Sequence, residues 1–224
     1  MQHYAILVAG GSGSRMGGTV PKQFLELAGK PILLHTVEKF LAYSPEIRLV
    51  LVLPEADFGR WERLAPQLSH APNHPITVVA GGATRFQSVR NGLNPIEGDG
   101  LVAVHDAVRP LVSVEVIRRT FESAAQFGNG VAAVAAKDSV RQLGPGGQNT
   151  ALDRATLRLI QTPQTFRIGL LKKAFGQPES LLFTDDASVV EAAGFEVHLV
   201  EGSYENLKIT TPEDLVVAEA LLQR

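Results

Sequence analysis

Five short apolar runs, at residues 4–9, 47–53, 76–79, 101–104 and 131–135, are separated from one another by stretches with helical spacing or helix punctuation. Strands alternating with helices make βαβ units, so the chain is predicted to be α/β with a mainly parallel, twisted sheet flanked by helices. The runs carry little polar alternation, as suits strands covered on both faces. The helix signals are local and readable. Over 31–43, Ile32, Leu33, Val37, Phe40 and Leu41 recur at helical period behind Pro31, which suits a first turn. A polar helical stretch at 57–68 is interrupted by Pro66. Thr84 and Gln87 read as a capping box opening a helix to 93, and Ser113 as the cap of one running to 127. Further strands are expected at 157–160 and 195–200, and a helix at 184–193. The last helix has Thr211 as N-cap, Pro212 at its first position, and Glu213 and Asp214 near the positive end of its dipole.

Residues 137–155 break the rhythm around Gly144-Pro145-Gly146-Gly147 and read as a two-stranded arm. A lone hairpin buries too little to stand by itself in water, which implies that the arm packs on something, such as a second copy of the chain. The length of 224 residues suits one domain spanning 1–224. With 21 Lys and Arg against 23 Asp and Glu and no basic run, the charge balance argues against a nucleic acid polymer as partner. The absence of cysteine excludes disulfides, thiolate metal sites and thiol nucleophiles, and fits a reducing cytoplasm. Neither a signal peptide nor a membrane-spanning stretch is legible, so the expectation is a cytoplasmic protein without membrane attachment.

The first strand runs directly into Gly10-Gly11-Ser12-Gly13-Ser14-Arg15-Met16, followed by Pro21-Lys22-Gln23. Gly10, Gly11 and Gly13 allow positive φ and leave backbone N–H groups open to an anion, while Arg15 and Lys22 supply positive charge: a triphosphate cradle. Two familiar glycine loops fail here. A dinucleotide fingerprint starting at Gly11 needs glycine or alanine where Met16 stands, and a Walker loop starting at Gly13 continues Thr19-Val20 instead of Lys-Ser/Thr. The remaining pattern resembles that of nucleotidyltransferases.

A second segment, Val104-His105-Asp106-Ala107-Val108-Arg109-Pro110, falls where a parallel strand ends, the place where open α/β sheets bind ligands. Asp106 there suits a ribose hydroxyl or the Mg²⁺ of a triphosphate, and Arg109 a substrate phosphate. His105 reads as a core residue. His70 and His74 have metal-like spacing, but Pro72 and Pro75 interrupt any helix that would align them. Ser12 and Ser14 lie outside a nucleophile-elbow pattern, which argues against hydrolase chemistry. Gln161-Thr162-Pro163-Gln164 offers amides and a hydroxyl at a strand end. Thr184 to Asp186 reads as a helix cap, and Lys208 precedes the final helix.

Taken in order, A-G-G-S-G-S-R-M-G with P-K-Q, G-G-A-T-R-F-Q-S-V, H-D-A-V-R-P, L-D-R with Q-T-P-Q, F-T-D-D-A-S and E-G-S-Y-E-N-L-K-I-T-T-P-E-D-L resemble the 2-C-methyl-D-erythritol 4-phosphate cytidylyltransferase family across nearly the whole chain. The resemblance implies a Rossmann-like nucleotidyltransferase fold with a protruding β-arm and a homodimer joined through that arm. It further implies transfer of CMP from CTP to methylerythritol phosphate, with Arg15 and Lys22 stabilising the transition state at the α-phosphate. Arg154, from the partner's arm, and Lys208 would position the acceptor phosphate. Asp106, Arg109, Ser139 and Thr162 would complete its pocket. Ala9, Gly10, Gly82 and Ser88 would hold cytidine, with Gly11, Gly13 and Asp106 also on the nucleotide. Mg²⁺ or another divalent cation would be held mainly by the CTP phosphates, with Asp106, by its place at the strand end, a candidate to face it. Three positions depart from many relatives: Ser139 stands for threonine, Ala83 for an acid and Glu205 for aspartate, so any base contact at Ala83 must come from backbone. The rivals are a ribitol-5-phosphate cytidylyltransferase, which shares the glycine loop and H-D-A-V-R-P, and a non-catalytic nucleotide-binding protein.

Overall fold

The computed structural model describes residues 1–10, 20–68 and 75–223. Strand β1 (Gln2–Val8) leads through a small hairpin, β2 (Glu26–Leu27) and β3 (Lys30–Pro31), into α1 (Ile32–Tyr43). Then follow β4 (Arg48–Leu53), α2 (Phe58–Leu64), β5 (Ile76–Ala80), α3 (Arg85–Leu93), β6 (Gly100–Asp106), α4 (Val114–Phe127) and β7 (Asn129–Ala135). The chain continues through β8 (Val140–Leu143) and β9 (Asn149–Leu152), β10 (Arg158–Arg167), α5 (Ile168–Phe175), α6 (Asp186–Ala192), β11 (Leu199–Glu201) and α7 (Pro212–Leu222).

One seven-stranded sheet has the order β11-β7-β10-β6-β1-β4-β5. β1 runs parallel to β4 and β6, β4 to β5, and β11 to β7, whereas β10 is antiparallel to both neighbours. The chain moves outward from β1 to β4 and β5, then crosses back to lay β6 on the other side of β1. Strand order therefore reverses beside β1, and the crevice at the carboxyl ends of β1 and β6 is where such sheets bind ligands.

Side chains alternate along each strand and divide between two cores. Ala5, Leu7, Leu49, Leu51, Leu101 and Ala103 pack with Leu33, Val37 and Phe40 of α1 and Phe121 of α4. On the opposite face Ile6, Val50, Val52, Val102, Val104 and Phe166 pack with Phe86 and Val89 of α3 and Leu171 and Phe175 of α5. Each buried Val, Leu, Ile or Phe among them contributes about 1.5–3 kcal/mol. Gly92 lets α3 approach closely: a Cβ there would lie 2.7 Å from Ile6 and 3.0 Å from Val52.

Several sequence expectations are corrected. The strand expected at 157–160 continues to Arg167, so Gln161 to Gln164 sit at a register shift inside β10 and not at its end. β11 is shorter and later than 195–200. α6 starts at Asp186, behind the cap residue Asp185, and not at 184. α5 and the β2–β3 hairpin have no clear local signal. Thr84 caps α3 as expected, accepting from Gln87 N, but the Gln87 amide oxygen accepts from Ala83 N and not from the cap residue itself. The arm is a hairpin of β8 and β9, with Gly146 and Gly147 at φ 70° and 81° in its turn.

Candidate active site

At the reversal point lies a cleft of about 640 Å³, lined by Ala9, Gly10, Lys22, Gly82, Ser88 and Asp106 among others. Ala9 and Gly10 are delivered by the end of β1, where Ala9 N donates to Val52 O at 2.9 Å. Lys22 opens a single helical turn after Pro21, closed by Phe24 N to Pro21 O at 2.9 Å, and buried Phe24 anchors it. Next to it Gln23 lines the same cleft, yet both of its amide heteroatoms are buried without a hydrogen-bond partner among the described residues. Gly82 lies over α3 so closely that a Cβ would fall 2.3 Å from that of Gln87. Ser88 braces this turn: its hydroxyl accepts from Gly82 N at 3.1 Å and donates to Thr84 O at 2.8 Å. The Ala83 amide is likewise taken by Gln87 at 3.1 Å, which removes the backbone donor that the sequence left open at this position.

Asp106 ends β6, with its backbone N bonded to Thr162 Oγ1 at 3.0 Å. Three cationic side chains surround its carboxylate: Lys208 Nζ at 2.9 Å, Arg109 Nε at 3.5 Å and Arg85 Nε at 3.6 Å. Burial pushes the Asp106 carboxyl up, but Arg85, Lys208 and Arg109 outweigh it and hold it well below the ordinary carboxylate range. Lys208 is fixed by its neighbour: Ile209 is fully buried with Leu27 and Ala218, and Ile209 N bonds Val108 O at 2.9 Å. Arg109 reaches Asn206 O at 2.7 Å, and the Asn206 amide donates to Thr162 O at 2.8 Å. Burial lowers the pKa of Arg109 from its ordinary value.

A second cleft, of about 620 Å³, shares Arg85, Asp106 and Lys208 with the first and adds Arg109, Gln161, Thr162, Thr184 and Asp185. Its floor is built from buried amides. Gln164 donates to Asp185 at 2.8 Å and accepts from Ala187 N at 2.8 Å, which ties the bulged part of β10 to the start of α6.

Of the residues singled out from sequence, Ala9, Gly10, Lys22, Gly82, Ser88, Asp106 and Lys208 meet in the first cleft, and Asp106, Arg109, Thr162 and Lys208 in the second. Gly11, Gly13, Arg15, Ser12, Ser14, His70 and His74 lie outside the described residues. Ser139 and Arg154 are exposed on and beside the arm and line neither cleft. His105 is buried, as read from sequence, and donates from Nε2 to Arg109 O at 3.2 Å. Sequence reasoning missed Arg85, Asp186 and Gln23. The acid after the cap of α6 reads locally as a dipole partner, and nothing nearby in the chain ties it to Arg85. Among the described residues no cluster of three His, Cys, Asp or Glu side chains could cage a metal ion.

A profile of the IspD family, described as 2-C-methyl-D-erythritol 4-phosphate cytidylyltransferase, matches residues 3–224. The chain is 48% identical to the protein of that description from Bacteroides thetaiotaomicron, over 99% of this chain and 100% of the relative. Among solved structures it is similar to the 4-diphosphocytidyl-2C-methyl-D-erythritol synthase of Anaerococcus prevotii, with a TM-score of 0.85 and 28% identity over 100% of this chain and 99% of that one. The 2-C-methyl-D-erythritol 4-phosphate cytidylyltransferase of Thermus thermophilus follows with a TM-score of 0.76 and 31% identity, each chain covered over 100%.

Proposed function

We propose that this chain, which belongs to the 2-C-methyl-D-erythritol 4-phosphate cytidylyltransferase family, transfers CMP from CTP to 2-C-methyl-D-erythritol 4-phosphate, a step that supplies non-mevalonate isoprenoid precursors. A phosphate oxygen of the acceptor attacks the α-phosphorus of CTP, the bond from that phosphorus to the β-phosphate bridge breaks, and pyrophosphate leaves with the electron pair. The acceptor phosphate is already ionised near neutral pH, so the reaction needs no general base; positioning and charge stabilisation carry it.

The observation that supports this reading is the meeting of two clefts around one carboxylate ringed by cations. In it CTP occupies the first cleft, with cytidine against Ala9, Gly10, Gly82 and the turn braced by Ser88. Lys22 serves the phosphates, joined on the strength of the sequence by Arg15 and the glycine loop. The acceptor occupies the second cleft, where Arg109, Thr162 and Lys208 converge on its phosphate and Asp106 on its hydroxyl groups. Asp106, already surrounded by cations, does not suit a metal ion. A divalent cation such as Mg²⁺ would be held by the phosphate oxygens of CTP and would supply charge neutralisation. Ser139 and Arg154 complete the acceptor site from a second copy. The exposed Leu143 and Leu152 of the arm support such a homodimer. Residues 1–224 act as one domain, and its substrates are those of a cytoplasmic enzyme; no helix among the described residues is long and apolar enough to cross a membrane.

Pyrophosphate release tests the proposal, with CTP and UTP each paired with methylerythritol phosphate and ribitol 5-phosphate. Turnover is expected with CTP and methylerythritol phosphate, and Lys22→Ala should lower kcat by roughly 10²–10³-fold, the cost of losing one transition-state donor. Preference for ribitol 5-phosphate, or no pyrophosphate with any pair, would refute the assignment. Near-normal kcat in the Lys22 variant would remove that residue from the mechanism.

A further inference from the structure

Arg85 begins α3 and Asp186 begins α6, 101 positions apart in sequence, yet their side chains meet through two parallel hydrogen bonds. Nη1 donates to Oδ1 at 2.9 Å and Nη2 to Oδ2 at 2.7 Å, and Asp186 is fully buried. This bidentate grip holds the guanidinium plane in one orientation. Its remaining edge, Nε, then faces Oδ1 of Asp106 at 3.6 Å. The other Asp106 oxygen, Oδ2, faces Lys208 at 2.9 Å and Arg109 at 3.5 Å. One side of the carboxylate is thus served by a clamped cation, and the other by the two cations that the proposed function assigns to the acceptor phosphate. Lys208 is also the most solvent-exposed of the three, with 41% of its side chain accessible against 30% for Arg85 and 12% for Arg109.

These positions create a problem of charge. An incoming phosphate dianion must draw Lys208 away from a carboxylate that is itself largely buried, and a buried carboxylate without a counter-ion is strongly disfavoured. Arg85 lines both clefts but is held by Asp186, so it does not follow the phosphate. We propose that Arg85, clamped by Asp186, is the fixed counter-ion of Asp106, and that it allows Lys208 to shift from Asp106 to the acceptor phosphate. Arg85 and Asp186 are thereby positioning residues for acceptor binding. The inference rests on the acceptor site proposed above.

The test replaces both members of the pair, Arg85→Met with Asp186→Leu, because apolar substitution of a buried ion pair preserves folding better than loss of one partner. Thermal unfolding reports the fold, and steady-state kinetics report KM for each substrate. The expected result is a folded enzyme whose KM for methylerythritol phosphate rises about 10-fold, the scale of a charge-assisted hydrogen bond, while KM for CTP changes less than about 3-fold. Adding Lys208→Ala to the double variant should then raise the acceptor KM further by less than Lys208→Ala does in the wild type, since both act on one contact. A purely structural pair predicts a folded double variant with wild-type acceptor KM, which would overturn the proposal, as would an equal rise in both KM values. If the double variant does not fold, Arg85→Lys keeps a cation but loses the two-pronged grip. A selective rise in acceptor KM supports the proposal there, and an unchanged value overturns it. Lys208→Ala in the wild-type enzyme separates this inference from its premise: an unchanged acceptor KM in that variant defeats the acceptor-site reading itself.

Discussion

His105 and Asp106 are adjacent on β6 and have opposite fates, because successive strand residues point to opposite faces. Asp106 faces the clefts and their cations. His105 turns into the core against Phe40, with ring centroids 5.1 Å apart and Nδ1 buried without a partner among the described residues. Burial pushes the His105 pKa down to about 3 from an ordinary 6.5, overriding the opposite pull of Asp106. The folded chain therefore keeps His105 neutral, while the unfolded chain protonates it below about pH 6.5. Stability owed to neutrality is full above that pH and is lost as pH falls toward 3, at up to ~1.4 kcal/mol per pH unit for one group. Burial lowers His3 and His35 as well, and they add to the slope in the upper part of this window. Urea unfolding at pH 7.5, 6 and 5 should show a plateau followed by this decline. His105→Gln should flatten it between pH 6 and 5, and an unchanged slope would mean that His105 is protonated in the fold.

Helix ends place the cleft residues. At α7 the cap read from sequence is present: Thr211 accepts from Asp214 N, and Asp214 Oδ2 accepts from Thr210 N at 2.7 Å and Thr211 N at 2.8 Å. Burial pushes the Asp214 carboxyl up, but these bonds win and hold it below its ordinary range. The capped turn begins three residues after Lys208, so it secures the segment that presents this lysine. Asp214→Ala is expected to cost about 1–2 kcal/mol, near the upper range for a cap, seen as a lower Tm, and to raise the acceptor KM. A lower Tm with unchanged KM would show that Lys208 is held by Ile209 alone. The same kind of signal is only partly legible at α3. Thr84 and its acceptor bond follow local chemistry, but the Gln87 side chain has alternatives, and the tight turn at Gly82 brings Ala83 N within its reach.

For the molecule as a whole, the arm is the part that a single chain leaves unexplained. Among the described residues β8 and β9 pair only with each other, and Leu143 and Leu152 remain exposed at 79% and 36%. In the proposed homodimer each acceptor site takes Lys208 from one copy and Arg154 from the other. Complementation tests this directly. Lys208→Ala and Arg154→Ala homodimers should each be impaired, whereas mixing and reassembling them should regain activity, because one hybrid site then has both cations. No recovery on mixing, with exchange of subunits verified by mass, would place Arg154 outside the site of its partner.

The alternation of strands and helices, most helix caps, the arm and, among the cations, Lys22, Arg109 and Lys208 are legible in the order of residues, because strand period, helix period and capping chemistry act over a few neighbouring positions. Lys208 is readable as a charge beside a helix start, and Asp106 as a carboxylate at a strand end. Other features arise from packing alone: β10 runs antiparallel beside β6, Arg85 grips Asp186 across 101 positions, and three cations share one carboxylate. Those outcomes depend on strand order and burial, which set distances between residues remote in the chain and so the strength of every charge between them.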